Sequence, residues 1–140
     1  MKRKESMTVD KIKQVLVASG AKPTAQRVAI CKYVLCDGDH PTAEVVKVWA
    51  DQNFPMVSRA TVYNTLNLLV AKGLLKEVKL PHTNKVMYDC NIDHHYHFYN
   101  SATDALVDID PKEVVMKSNV TEKYDISKIE ITFHGKQRKK

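Results

Sequence analysis

Residues 58–89 read SRATVYNTLNLLVAKGLLKEVKLPHTNKVMYD, a run in which helical periodicity gives way to two short β-rich segments. A serine cap and a terminal glycine bound the predicted helix, Ser58–Gly73. Its inward-facing apolar positions lie at helical spacing: Val62, Leu66, Leu69 and Val70. Two strands follow at residues 74–80 and 85–89, joined by a Pro-His-Thr-Asn turn. This run therefore predicts a helix followed by a β-hairpin.

Three further helices are predicted upstream of this run, each opened by a threonine that can cap the helix. They cover residues 8–19, 24–37 and 42–53. The apolar stripe of the third helix is expected at Val45, Val48 and Trp49. Helices in this number, followed by a hairpin, are the order of a winged-helix domain.

After Asp89 the pattern predicts a β-β-α-β unit, with strands at 96–99 and 105–109, a helix at 111–116 and a strand at 126–133. Such a unit is too small to stand alone and is expected to pair with a second copy. The predicted fold class is α+β. A winged-helix domain would occupy residues 1–88, a hinge about 85–92, and a small α/β dimerisation domain 89–140.

The net charge of +6 is unevenly placed. Residues 1–88 carry 14 basic and seven acidic side chains, whereas residues 89–135 carry four and nine. The basic half favours a polyanion such as DNA, and the acidic stretch favours a cation. No apolar run reaches the length of a membrane span, and the basic start lacks the apolar stretch of a secretory signal. Three cysteines without a CxxC pair fit a reducing cytoplasm.

The outer face of the fourth helix carries small and polar side chains that could approach DNA bases. Asn64 and Asn67 lie on this face with Thr61, while Tyr63 lies at its flank and Arg59 in the first turn. Asparagine can pair bidentately with adenine, and threonine or tyrosine can contact a thymine methyl group. The alternative is an ordinary amphipathic helix with a polar outer face.

The histidine-rich segment after Asp89 offers metal ligands. His95 and His97 lie two residues apart, so in a strand both point to the same face. The other candidates flank this pair: His40, Asp89 and Asp108. Imidazole with carboxylate is a ligand mixture suited to Fe(II), Mn(II) or Zn(II). Strand alternation turns His94 to the opposite face.

Six short motifs follow one another along the chain: 23–27 (PTAQR), 40–44 (HPTAE), 58–66 (SRATVYNTL), 87–89 (MYD), 94–97 (HHYH) and 106–108 (LVD). In this order they resemble the ferric uptake regulator family, and within it the peroxide-sensing repressors. The likeness covers residues 10–135. Aspartate at positions 89 and 108, where the iron-uptake branch usually has glutamate, resembles the peroxide sensors.

The resemblance implies a homodimeric repressor, not an enzyme, that binds a palindromic operator in double-stranded DNA. Its regulatory metal would be Fe(II) or Mn(II), with Zn(II) possible in vitro, and would lock both domains into the DNA-binding arrangement. The five implied ligands are His40, Asp89, His95, His97 and Asp108. The expected DNA contacts are Lys22, Arg27, Arg59, Thr61, Tyr63, Asn64 and Asn67. Iron-catalysed oxidation of His40 or His95 by peroxide would release the operator and derepress oxidative-stress genes.

The structural zinc site that is common in this family is not expected here. Two CxxC pairs hold that zinc, and the matching positions are Asn100, Thr103, Gln137 and Lys140. A closed zinc site contributes directly to folding free energy. The C-terminal half should therefore depend more strongly on apolar burial.

Three alternatives stay open at this point. The first is an iron- or manganese-responsive uptake regulator that does not sense peroxide. The second is a small non-haem iron enzyme, which would turn over peroxide or an organic substrate steadily. The third is a winged-helix adaptor without metal, whose operator affinity would be the same with and without a chelator.

Overall fold

The computed structural model describes residues 7–37 and 39–139. The chain divides into two compact units, one ending at Ile92 and the other beginning at Asp93. Among the described residues, the N-terminal unit holds the α-helices and a two-stranded sheet, and the C-terminal unit holds a three-stranded sheet. The α+β fold class is confirmed.

The described part of the N-terminal unit contains four α-helices: α1 (Val9–Ala18), α2 (Ala25–Lys32), α3 (Ala43–Asn53) and α4 (Arg59–Ala71). A π-helical turn, Tyr33–Asp37, extends α2. Each α-helix begins after a residue whose hydroxyl accepts a hydrogen bond from a first-turn amide: Thr8, Thr24, Thr42 and Ser58. These caps satisfy amides that have no partner within the helix. None of the helices within the described ranges has the length and apolarity of a membrane span.

Each helix contributes an apolar stripe to the core of the N-terminal unit, and Val57, Leu75 and Tyr88 add to it from outside the helices. The most deeply buried members are Ile12, Leu16, Ile30, Cys31, Val34, Val46, Ala50, Val62, Leu66 and Leu69. Burial of a large apolar side chain of this kind stabilises the fold by about 1.5–3 kcal/mol. In α4 the predicted inward positions Val62, Leu66 and Leu69 are buried, and Val70 is half-buried.

The predicted stripe of α3 is wrong. Val45 and Val48 are 48% and 57% exposed, whereas Ala43, Val46 and Ala50 are buried. Both sets of residues fit helical periodicity. The prediction followed the set with the bulkier side chains, but that set faces outwards. The buried set includes two alanines, which allow close packing of α3 against its neighbours. The third predicted member, Trp49, is half-buried and stacks on Tyr33 with ring centroids 4.4 Å apart.

A β-hairpin follows α4 and completes the winged-helix order. Gly73 adopts φ +73° after the helix, a conformation that glycine tolerates without a Cβ clash. Strand β1 (Lys76–Lys79) then pairs antiparallel with β2 (Val86–Asp89). This hairpin places Asp89 at the end of the N-terminal unit.

The sheet of the C-terminal unit has β3 (Tyr96–Asn100) at its centre. Strand β4 (Ala105–Ile109) pairs antiparallel with β3, and β5 (Thr132–Gly135) pairs parallel with it. The predicted strand at 126–133 is therefore displaced towards the C-terminus. Because β3 has only five residues, only the last part of the predicted strand pairs with its free edge.

The predicted helix at 111–116 is also wrong. In place of that helix the structure has one 3₁₀ turn at Pro111–Glu113, and another 3₁₀ turn follows at Val120–Glu122. Asp110 caps the first turn through the Lys112 amide, but Val114 has an extended backbone, with φ −115° and ψ 114°. Two consecutive β-branched valines, Val114 and Val115, favour this extended conformation over a second helical turn.

The turn between β3 and β4 fixes their register. Asp104 adopts φ +63°, and its amide donates to the Asn100 carbonyl at 2.8 Å. The Tyr99 hydroxyl donates to the Asp104 carboxylate, and this bond raises the pKa of Tyr99 because ionisation would remove the shared proton. The resulting register places His97 opposite Asp108.

Two matched substitutions on α3 test which stripe faces the core. Val46→Ala should lower the free energy of unfolding by about 2–3 kcal/mol, because it leaves a cavity at a position with 0% exposure. Val48→Ala, at 57% exposure, should change it by less than about 0.5 kcal/mol. Urea unfolding followed by helical circular dichroism measures both. Equal losses would contradict the packing described for α3.

Candidate metal centre

A histidine and an aspartate come together in the N-terminal unit, although 49 positions separate them. The Tyr88 amide donates to the Pro41 carbonyl at 2.9 Å, and Thr42 forms an isolated β-bridge with Met87. This pairing brings His40 Nε2 to 3.3 Å from Asp89 Oδ2. We call these two side chains the N-terminal ligand pair.

The ring of His40 is oriented by its own neighbour in sequence. His40 Nδ1 lies 2.9 Å from the carboxylate of Asp39, so that Nδ1–H can donate there and leave Nε2 as the ligand atom. The backbone of His40 has φ +48°, an uncommon conformation for a residue with a side chain. The sequence interpretation missed Asp39, whose only signal was an acid directly before the histidine.

Three further candidates meet in the C-terminal unit: His95, His97 and Asp108. His95 Nε2 lies 3.1 Å from His97 Nε2 and 3.3 Å from Asp108 Oδ1. His97 Nε2 lies 3.6 Å from the same Asp108 oxygen. His95 Nδ1 lies 2.6 Å from the Asp93 carbonyl, which accepts its proton and orients Nε2 towards the other two. We call this group the C-terminal ligand trio.

The spacing within the trio fits a metal ion. Ligand atoms about 2.1 Å from one ion are separated by about 3.0 Å at right angles and about 3.4 Å in a tetrahedron. The three separations in the trio, 3.1, 3.3 and 3.6 Å, lie close to this range. Two imidazoles and a carboxylate could therefore bind one divalent cation through the atoms that already face one another.

Other histidines and cysteines are placed less favourably. His94 is exposed and its ring packs edge-on against Tyr96, with centroids 5.0 Å apart. His134 is exposed and lies beside the ring of Tyr99. Burial raises the pKa of the Cys31 thiol to about 12, so this cysteine is a core residue and not a reactive thiolate.

The predicted DNA contacts lie in the N-terminal unit. Arg59, Tyr63, Asn64 and Asn67 are exposed on α4, and Thr61 is half-buried with its hydroxyl 3.0 Å from that of Ser58. Lys22 is exposed, and the guanidinium of Arg27 donates to its carbonyl at 3.1 Å. Arg59 also forms an ion pair with Glu44 of α3, which the sequence interpretation did not single out.

The positions that would match the zinc cysteines hold polar residues. Asn100 ends β3, Thr103 lies in the following turn, and Gln137 follows β5. Lys140 lies outside the described residues. Within the turn, the Asn100 side chain accepts a hydrogen bond from the Ala102 amide at 3.0 Å.

Residues 18–134 match the Ferric uptake regulator family. The matched range includes both ligand groups and all of α4.

Individual relatives agree with this match. The chain is 32% identical over 90 residues to the peroxide-responsive repressor PerR of Staphylococcus aureus, which covers 64% of this chain and 60% of that protein's length. Its fold is similar to that of the Helicobacter pylori ferric uptake regulator, with a TM-score of 0.74, 19% identity and coverage of 99% and 95%. For the Campylobacter jejuni peroxide stress regulator the TM-score is 0.64, with 22% identity and coverage of 96% and 98%.

Removal of one imidazole tests the C-terminal ligand trio. His97→Ala should weaken Mn(II) binding by more than about 10-fold, because loss even of a group that supports a ligand typically costs 10–100-fold. His94→Ala, three positions away, should leave the affinity unchanged because its ring faces Tyr96. Isothermal titration with Mn(II) measures both. An equal loss in the two variants would contradict the assignment of ligands.

Proposed function

The chain belongs to the ferric uptake regulator family, and we propose that it is a metal-dependent transcriptional repressor that releases DNA when peroxide oxidises a ligand histidine. Members of this family are metal-responsive, dimeric DNA-binding regulators. The observation that carries the proposal is the convergence of imidazole and carboxylate atoms, three of them at separations suited to one ion. The similarity to a peroxide-responsive repressor supports the choice of signal.

We propose that a single ion takes ligands from both units. The five side chains are His40, Asp89, His95, His97 and Asp108. Fe(II) or Mn(II) is the expected metal, and Zn(II) could bind in vitro, because nitrogen and oxygen donors suit all three. An ion bound by ligands from both domains favours the arrangement in which they converge, and so shifts the population towards the DNA-binding form.

The proposed partner is a palindromic operator in double-stranded DNA, bound by a homodimer. The exposed polar face of α4 supports major-groove binding, with Asn64 and Asn67 reading bases. Lys22 and Arg27 would contact phosphates, and a basic N-terminal half suits such contacts. We propose a cytoplasmic location, in keeping with the proposed DNA-binding role.

We propose that the dimer forms through the C-terminal unit and without structural zinc. This unit exposes several large apolar side chains: Val107, Val115, Met116, Val120, Tyr124 and Phe133. An exposed apolar surface of this kind is typical of a protein–protein interface. Burial of these side chains against a second copy would supply the stabilisation that a zinc site supplies elsewhere in the family.

His40 and His95 are the proposed sites of oxidation. Fe(II) held by these residues would supply the redox chemistry by which hydrogen peroxide transfers one oxygen to a carbon of a neighbouring imidazole and leaves as water. Each of the two rings has Nδ1 held by a second group and Nε2 left for the metal. An oxidised imidazole is a poor ligand. Oxidation of either ring would therefore weaken binding of the ion that is proposed to take ligands from both units. Aspartate at positions 89 and 108 supports peroxide sensing.

The alternative function is an iron- or manganese-responsive uptake regulator that does not sense peroxide. The same ligands would serve it, and the similarity in fold to a ferric uptake regulator favours it equally. The two functions differ only in their response to peroxide with iron bound.

Operator binding before and after peroxide separates these functions. The Fe(II)-loaded protein should lose its operator after a stoichiometric dose of peroxide, and mass spectrometry should find one added oxygen on the peptide with His40 or His95. The Mn(II)-loaded protein, as the matched control, should stay bound and unmodified. Equal release with Mn(II) would contradict oxidation at the metal. Steady consumption of excess peroxide would indicate an enzyme, and unchanged binding with chelator would indicate a metal-free adaptor.

A further inference from the structure

An acidic side chain pairs with the first turn of the proposed recognition helix. The guanidinium Nη1 of Arg59 on α4 donates to the carboxylate of Glu44 on α3. The side chains are 58% and 62% exposed, so neither is part of the core. Within the described part of the chain, Glu44 is the only hydrogen-bond partner of this guanidinium. An exposed ion pair contributes little to folding stability. Stability therefore does not explain why these two side chains pair.

Glu44 lies on the face that carries the predicted DNA contacts. Together with Tyr63, and with Asn84 and Lys85 from the turn of the hairpin, it lines an open cleft of about 320 Å³. A carboxylate beside a DNA backbone repels the phosphates and lowers affinity for every sequence alike. A carboxylate at this position therefore lowers DNA affinity in general. It is favourable only if it improves the discrimination between specific and nonspecific sequences.

Resting on the proposed function, we infer that Glu44 is a positioning residue for sequence discrimination, which holds Arg59 for a base edge. Arginine has five N–H donors in a planar fork, and the bond to Glu44 uses one of them. Residues at the start of a recognition helix contact base edges, and the remaining fork matches O6 and N7 of guanine. A free Arg59 would instead bind the nearest phosphate, which carries no sequence information. The ion pair thus favours specific over nonspecific binding.

The test compares specific and nonspecific DNA. The specific probe is a 30-base-pair duplex selected from a random pool by the Mn(II)-loaded wild-type protein, and the nonspecific probe is its scrambled version. Glu44→Gln should lower the ratio of the two affinities by at least about fivefold, the lower end of what one base contact contributes. It should also steepen the salt dependence of nonspecific binding by about one released ion, because the freed Arg59 gains a phosphate.

Variants of Arg59 show whether Glu44 acts through it. Arg59→Ala should lower the affinity ratio to a similar extent, and adding Glu44→Gln to it should cause no further change in the ratio. Arg59→Lys should also lower the ratio, since lysine keeps the charge but lacks the fork. A further fall in the double variant would overturn the inference, because Glu44 would then read a base directly.

Asp51→Asn is the matched control. It removes the same charge from the same helix, but Asp51 pairs with Lys47 and not with Arg59. It should raise both affinities equally and leave their ratio unchanged. If Glu44→Gln behaves in the same way, Glu44 is only a general charge and the inference is wrong. If the pool yields no enriched sequence with Mn(II)-loaded wild type, the proposed function itself fails, and the inference falls with it.

Discussion

The register between β3 and β4 is the constraint on which the C-terminal ligand trio depends. Side chains alternate along a strand, so a shift of one residue would turn Asp108 to the face opposite His97. The turn at Asp104 sets that register through a backbone hydrogen bond and the contact with Tyr99. A comparable backbone contact, from the Tyr88 amide to the Pro41 carbonyl, brings His40 to Asp89. In both units, main-chain pairing brings the candidate ligands together.

The chemistry of these side-chain atoms favours the proposed cation beside them. Two imidazole Nε2 atoms 3.1 Å apart repel each other unless a proton or a cation lies between their lone pairs. A buried carboxylate such as Asp89 is unfavourable without a compensating positive charge. Asp39 and the Asp93 carbonyl hold the other nitrogens of His40 and His95, so that the metal-facing atoms are oriented in advance. Such support of a ligand by a second group raises metal affinity.

The sequence predicted the winged-helix order because caps, glycine stops and apolar periodicity all indicate the same boundaries. It also predicted that His95 and His97 point to one face, because strand periodicity is unambiguous for residues two apart, and their Nε2 atoms lie 3.1 Å apart. It failed for α3, where two stripes fit the same period and only tertiary packing selects Val46 over Val48. It failed again after Asp110. Local propensity ends the predicted helix after one turn, and the five-residue length of β3 limits how much of the predicted last strand can pair with it. The ion pair of Glu44 with Arg59 joins two helices and has no signal in either alone.

The central claim is that ligands from both units bind one ion, and Mn(II) titration of three proteins tests it most directly. In equilibrium dialysis the wild type should bind one regulatory ion per subunit. His40→Ala and His97→Ala should each weaken that same ion, without leaving a second site at full affinity. Two ions per subunit in the wild type, one lost in His40→Ala and the other in His97→Ala, would show two independent sites and contradict the account.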